Sequence, residues 1–520
     1  MSAVHDTADV VVIGGGGAGL TAAAHAAAEG ASVIVLEKAP HPGGSTGLSV
    51  GSFSAARTTY QRRAGVEDTV ADFIADMATA NGDLESRENT ELRELLARDS
   101  GPAFEWLAAL GIGFLGPTPE PPFRLPRMHN VMPHSGVYIT ALLRECRRRG
   151  VQIVLNARVD ALLTGEEGEV LGARASGRRY SARRGVILAT GDYSAAADLK
   201  ARFVHPDAAA VPPINTAATG DGHRLGTAAG GQLTQMDRLA EGLRFTPLPR
   251  SGLVARLPAS RATSGLLAWG ARQAPRVTAR VARGALTSWM APSAAMIDHG
   301  AILVSRHGRR LADESVESAQ ARATARSGGP AYLVFDHAVA QLFSGWPHPV
   351  STFPGVAYAY VPDYRRLRPD VYHEAPSLHG LAARIGAEAD VLGDTVQRWN
   401  SAVAGGQDLE FGRKPPRRGI DQPPYYALGP LHPFVTLADG GLTVDPDLRV
   451  LRPDGSAIPG LRAAGSAGQG GLQLVNHGLH IAWAVVSGRR AGTLSARDPA
   501  RDAPLPLTEP PSALPQSPNS

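Results

Sequence analysis

Cysteine is nearly absent from this chain: Cys146 is the only one in 520 residues. A lone thiol excludes internal disulfides, cysteine-ligated zinc and iron–sulfur clusters, and no CxxCH haem-attachment motif is present. Electrons moved by this protein would therefore travel on an organic cofactor, and no metal site is expected. An excess of one charge sign is also lacking, because 52 Lys and Arg face 48 Asp and Glu. No basic run interleaves with aromatics, so nucleic acid is not an expected partner. Apolar runs of about 18 residues without glycine or charge are absent, so no membrane-spanning helix is expected. The first nine residues carry no signal-peptide pattern, and a soluble cytoplasmic protein is the expectation.

With 43% hydrophobic and 19% charged residues, the composition is that of a globular protein. A chain this long suggests two cores, one inserted into the other. The opening reads strand, glycine turn, helix, strand. Val10–Ile13 is a continuous apolar run suited to a buried parallel strand, and Gly14–Gly19 is the turn. Leu20–Glu29 is alanine-rich and helical, stopped by Gly30, and Ser32–Leu36 leads to Glu37. Further helices are predicted near Thr69–Ala80, Glu91–Leu110 and Val137–Arg149, with a proline-rich loop over Pro117–Pro133. Val151–Leu155, Val170–Ala173 and Val186–Ala189 read as strands, and a final helix is predicted near Leu479–Arg490.

The predicted fold class is α/β with an inserted α+β domain: a Rossmann-like dinucleotide-binding domain interrupted by a second one. Its expected parts are residues 1–235, a second domain over 236–424, a return over 425–497, and a disordered tail over 498–520 rich in proline and serine.

Gly14-Gly15-Gly16-Gly17-Ala18-Gly19 fits GxGxxG. The first glycine permits the tight turn, the second lets backbone approach a pyrophosphate, and the third lets helix and strand pack closely. Glu37 ends the second strand, where a carboxylate accepts hydrogen bonds from the adenosine ribose and would repel the extra phosphate of NADP. A second glycine-rich loop, His41–Gly51, follows at once. Ala189-Thr190-Gly191-Asp192-Tyr193 ends a strand, Thr219-Gly220-Asp221-Gly222 precedes a helix, and Gly465 to Gly471 is glycine-rich before the last helix.

Together these motifs resemble the flavoprotein subunits of the fumarate reductase and succinate dehydrogenase superfamily, which includes 3-ketosteroid dehydrogenases. The similarity runs to Gly492 and includes Gly300–Val304 with Gly308-Arg309-Arg310, and Arg398-Trp399-Asn400 with Phe411-Gly412-Arg413. It implies FAD, with a cap holding substrate over the flavin and the final helix aiming its positive end at the flavin. The FAD contacts it implies are Gly14, Gly16, Ala18, Gly19, Glu37 and Lys38, then Gly43, Gly44, Ser45, Thr46, Ser49 and Gly51 of the second loop. Val159, Ala189, Thr190, Gly191, Asp221, Gly465, Ser466, Gln473 and Leu474 complete the set. Some relatives attach FAD covalently through a histidine that aligns here with Ser45, so FAD is expected to be non-covalent. Tyr193 is expected to pack on the adenosine side.

Fumarate reduction in that family uses arginines and histidines that clamp a dicarboxylate, and bidentate guanidinium suits carboxylates. The proton-donor arginine aligns with Ile297, and the arginine of an Asn-Arg pair aligns with His477, after Asn476. Two histidines align near Thr436 or Leu437 and near Arg244–Thr246. The tyrosine that the steroid branch carries near the final helix is missing from Gly471–Ala484. Candidates for proton chemistry are therefore His477, Tyr426, Arg244 and His134, with His480 and Tyr425 read as packing residues. Arg124, Arg127, His129 and His134 crowd one loop and could form an anion or carbonyl site.

The expected activity is removal of a proton beside a carbonyl with hydride transfer from the neighbouring carbon to flavin, or its reversal. The partners expected are a small substrate and an electron donor or acceptor that the sequence does not identify. Rival readings are an enoate reductase for a small acid, clamped by the Arg124–His134 loop, and a protein whose FAD is structural.

Overall fold

The computed structural model describes residues 5–246, 261–289, 292–353 and 357–501. Its first sheet is built on the apolar run Val10–Ile13, at most 4% exposed, within the strand His5–Ile13. Val33–Leu36 and Arg178–Leu188 flank that strand, both parallel to it. Gln152–Val154 extends one side, while Ala457–Ala463 joins the other, next to Arg178–Leu188 and again parallel. Strands buried on both faces read as unbroken apolar runs, which is why the βαβ opening was legible.

The first helix, Gly17–Ala28, packs against the final one, Leu479–Arg497. A Cβ on Gly492 would lie 2.1 Å from the Ala22 carbonyl oxygen, so this crossing depends on small residues. The last helix runs seven residues beyond the predicted stop at Arg490, with Ala491, Ala496 and Ser495 buried. Helices at Val70–Asn81 and Thr90–Ala109 match expectation and start from Thr69 and Asn89 caps. The proline-rich loop is partly strand: Met128–Met132 pairs with both Gly113–Thr118 and Ser52–Ser54.

A second sheet is antiparallel. The 14-residue strand Tyr425–Ala438 pairs with Leu239–Phe245, Ala331–Phe335 and Tyr372–Ala375, and Ile302–Ser305 adds to the edge. The change at Pro423-Pro424 therefore begins a strand of this sheet rather than the return to the first one. Proline has no N–H for a ladder and sits at strand starts. Arg310 and Arg413 lie over the Trp399 ring at 4.5 and 4.4 Å and share Glu314, so those motif residues form a buried scaffold.

Residues 498–501, assigned by sequence to the tail, are held: the Arg501 N–H donates to Arg183 O at 2.9 Å. Residues 502–520 lie outside the described residues. Among the described residues, no helix is long and apolar enough to cross a membrane, and no cluster of His, Cys, Asp and Glu could hold a metal.

Candidate active site

A cleft of about 1300 Å³, its open mouth included, runs from the first glycine turn to the start of the final helix. At one end, Gly14 has φ of +109°, and a Cβ there would lie 2.4 Å from the Ala189 carbonyl oxygen. A Cβ on Gly19 would meet the Gly14 carbonyl oxygen at 1.9 Å. Only glycine lets strand, turn and helix close this tightly and leave a cradle lined by backbone. The helix behind it starts at Gly17 with no acidic residue in its first turn, so its positive end is available to phosphate.

Glu37 stands on the cleft wall with its carboxylate fixed by two backbone donors: Gly15 N–H to Oε2 at 2.6 Å and Ala39 N–H to Oε1 at 2.8 Å. Its remaining lone pairs suit ribose hydroxyls. Lys38 Nζ donates to Asp221 Oδ2 at 2.8 Å and to Thr219 Oγ1 at 2.6 Å. Burial pushes the Asp221 carboxyl up, but Lys38 and Arg158 outweigh it and hold the group below the usual carboxylate range. Asn215 Nδ2 donates to Ser45 Oγ at 2.9 Å across the middle of the cleft. At the far end Gly465, Ser466, His480, Ile481 and Ala484 bring in the first turn of the last helix.

Acid, phosphate cradle and helix terminus in that order fit the adenosine, pyrophosphate and flavin ends of FAD. Of the expected contacts, Gly14, Gly16, Ala18, Glu37, Lys38, Gly44, Ser45, Thr46 and Ser49 line the cleft. So do Val159, Ala189, Thr190, Gly191, Asp221, Gly465 and Ser466.

Gly19, Gly43, Gly51, Gln473 and Leu474 are not on that wall. Gly19 is spent on close packing, and the Gly43 N–H donates to Gly15 O at 3.0 Å, shaping the second loop. Gly51 O accepts from Tyr138 at 3.0 Å, Gln473 Oε1 accepts from Arg238 at 2.9 Å, and Leu474 is buried. Tyr193 is not on the wall either. Its hydroxyl donates to the carbonyls of Met236 and Asp439, and its ring lies in a separate apolar cluster.

A second cavity, about 840 Å³ with its mouth, adjoins the first at Thr436, which lines both. Leu243, Ile297, Leu303, Leu333, Leu431 and Phe434 form one part of its wall, Glu241, Glu317 and Gln320 a polar part, and no Arg, Lys or His is among its described lining residues. Arg244 lies beside it, its guanidinium 3.5 Å from the centroid of Phe434 and 3.3 Å from Thr436 Oγ1. Burial pushes Arg244 down to about 10.

The remaining candidates divide sharply. Tyr426 stacks on Phe335 at 5.5 Å, and its hydroxyl lies 3.3 Å from His337 Nδ1, inside the core of the second sheet. It lines neither cavity, which corrects its expected catalytic role: the strand alternation turns it into the sheet's packed face. His134 Nδ1 accepts from the Gly136 N–H at 3.2 Å, where the next helix begins. Arg124 and Arg127 are occupied by Asp72, Asp68 and Asp76, and His129 is fully buried between Thr58 and Phe53, where desolvation drives it down to about 4. The loop is therefore a neutralised scaffold, not an anion clamp.

His477 and His480 also separate. The last helix begins at Leu479 after Gly478, whose φ is +83°, so His477 precedes the helix and turns outward with two-thirds of its side chain exposed. His480, read from sequence as packing, lines the cofactor cleft instead, 3.8 Å from Asp439, and burial lowers its pKa. Asn215, Ile214 and Ala217 on the wall carried no motif and were missed by sequence.

The family model for the FAD binding domain matches residues 9–479. This chain belongs to that family. It is 27% identical over 508 residues to a probable fumarate reductase of Shewanella frigidimarina, spanning 95% of this chain and 75% of the relative. It is also 27% identical over 557 residues to a 4-oxocyclohexanecarboxylate 2-dehydrogenase of Sinomonas cyclohexanicum, spanning 89% and 88% of the two chains. Among solved structures, the open conformation of a flavocytochrome c3 fumarate reductase matches with a TM-score of 0.70 and 26% identity, over 95% of this chain and 78% of that one. The FAD-family chain is an FAD-dependent oxidoreductase.

Proposed function

We propose that this flavoprotein interconverts a CH–CH and a C=C bond beside a carbonyl, on a substrate that is neutral at its reacting end. The observation that carries this reading is the cavity joined to the cofactor cleft at Thr436, with Ile297, Glu241 and Glu317 in its wall and no cation among its described lining residues. A dicarboxylate buried there would lack the bidentate partners that repay its desolvation. A ketone or ring would gain about 25 cal/mol per Å² of apolar surface buried. The similarity to a dehydrogenase whose name gives a cyclic oxo acid as substrate supports the same class.

FAD, when bound, supplies the hydride acceptor or donor at its N5. The chain's own part is to orient and to shield. Leu243, Leu303, Leu333 and Leu431 exclude water from the substrate cavity, while Thr436 marks the opening between the two sites. The first turn of the last helix favours negative charge at the flavin end. Ser45 carries a hydroxyl held by Asn215 rather than an imidazole, which supports non-covalent FAD.

The purified yellow protein mixed anaerobically with cyclic ketones tests this. Bleaching of the oxidised-flavin absorbance by a ketone, or reoxidation of chemically reduced enzyme by the matching enone, is expected. Reoxidation by fumarate alone would overturn the substrate class, and no flavin redox change with any carbonyl compound would overturn the reaction. Acid precipitation should release the flavin into the supernatant, and retention in the pellet would refute non-covalent binding.

A further inference from the structure

Two helices, Arg261–Gln273 and Pro275–Trp289, precede the wall of the second cavity and carry an inverted surface. On the first, Ala262, Gly265, Leu266, Trp269 and Gln273 are exposed, at the spacing of a single helical face. None of them is charged, and Leu266 and Trp269 are 67% and 58% exposed. Thr263, Leu267, Gly270 and Ala274 form the half-buried face, and the helix packs against Gly113–Thr118. The second helix adds Val277, 61% exposed, and Arg280, also exposed. Its far end is anchored, with Leu286 in the core of the second sheet and Arg368 Nη1 donating to Thr287 O at 2.7 Å. Single exposed apolar residues are ordinary, but a periodic apolar stripe that includes a tryptophan marks a contact surface.

Charge identifies what covers it. From Arg261 to Ile297 the chain holds five arginines, Arg261, Arg272, Arg276, Arg280 and Arg283, and no Asp or Glu. Of these, Arg283 faces Asp363 at 3.7 Å. We propose that this pair of helices docks on a bilayer surface rich in anionic headgroups, with Leu266 and Trp269 among the lipid and the arginines of the segment meeting phosphates. A helix with tryptophan and leucine on one face and arginines elsewhere lies in the plane of such an interface. At 13 and 15 residues, both helices are too short to cross a hydrocarbon core that needs about 20. A second copy is the poorer occupant, because apposing two such faces would bring arginines together with no carboxylate from this segment to pair them. The same segment continues to Pro292, Ser293 and Ala294 of the second cavity's wall, so a docked enzyme would hold that cavity beside the phase that dissolves an apolar carbonyl compound. That last link rests on the substrate reading above, whereas the docking itself does not.

The test is flotation of the flavin-loaded, full-length protein, without substrate, on vesicles of phosphatidylcholine alone and of equal parts phosphatidylcholine and phosphatidylserine. Wild type should float with the anionic vesicles only, and added salt should release it. The double variant Leu266→Ser, Trp269→Ser should bind about tenfold or more weakly, and Arg280→Glu should lose affinity to a similar degree. Both should keep the flavin content of wild type, since none of the three residues lines the cleft. Brominated acyl chains should quench tryptophan fluorescence in wild type and distinctly less in Trp269→Phe. Failure of wild type to float, flotation indifferent to phosphatidylserine, or a double variant that binds like wild type would each overturn the proposal. Self-association abolished by the double variant, seen by analytical ultracentrifugation in place of flotation, would overturn it in favour of a contact between copies. Flavin bleaching by ketones is read separately, so either the docking or the reaction class can fail without the other.

Discussion

Arg127 and Asp68 are joined by two parallel hydrogen bonds of 2.8 Å, and neither side chain has any exposed surface. Asp76 takes another guanidinium nitrogen, and the rings of Phe73 and Phe123 lie on the group at 4.8 and 5.6 Å. A guanidinium so enclosed has no face left for substrate. Arg127→Ala would strand two buried carboxylates and should cost about 3–5 kcal/mol of stability. Thermal unfolding of the flavin-loaded variant checks this, and KM of the surviving enzyme should stay near wild type. Unchanged stability with a raised KM for an acidic substrate would restore the clamp.

At the cofactor cleft, Lys38→Ala should destabilise the protein by about 1–3 kcal/mol at neutral pH, since Asp221 would keep only Arg158 at 3.3 Å as a charged partner, beside the Thr219 hydroxyl at 2.9 Å. The pH dependence has a definite sign. Asp221 is raised by burial but lowered more by Lys38 and Arg158, so its folded pKa lies below the unfolded one. Its stabilisation is present above the unfolded carboxylate pKa and is lost as pH falls through the folded value. Melting temperature against pH should therefore fall less steeply on the acid side in Lys38→Ala than in wild type.

Gly19→Ala should yield colourless protein. The added Cβ would sit 1.9 Å from the Gly14 carbonyl oxygen, so the turn that cradles phosphate cannot keep its shape. The ratio of flavin to protein absorbance measures the loss, and circular dichroism separates it from global unfolding.

Arg244→Leu should discriminate between substrate types. The guanidinium sits over Phe434 at the edge of the second cavity, close enough to serve a charged tail but not among the lining residues. KM for a cyclic oxo acid should rise about tenfold, the equivalent of about 1.4 kcal/mol, while KM for the uncharged ketone stays within twofold. Equal effects on both substrates would assign Arg244 to packing.

These contrasts also mark what the sequence could reveal. Gly14, Gly19 and Glu37 were readable because their chemistry is local: a turn without room for Cβ, and a carboxylate one strand away. The Arg124–His134 loop was misread because the charges that cancel it, Asp76 and Asp68, lie 48 and 59 residues upstream. A one-dimensional pattern shows the cation and hides its partner. His477 and His480 differ by three positions, which on a continuous helix would share a face. The left-handed Gly478 between them breaks that relation and sends one ring outward to Glu120 and the other to the cleft wall. Tyr426 was misplaced for a related reason, since the long strand through Pro430 and Pro433 belongs to the second sheet.

The strand Ala457–Ala463 lies against Arg178–Leu188, and the helix after it packs on Gly17–Ala28. On the ribosome, the glycine turn emerges more than four hundred residues before its supporting helix. The nascent chain must carry an open, unsupported nucleotide-binding edge through the synthesis of more than four hundred residues. Long-range sheet completion is slow and exposes apolar strands meanwhile. The cofactor cleft can therefore close around flavin only once Ala457–Ala463 and the helix after it have been made.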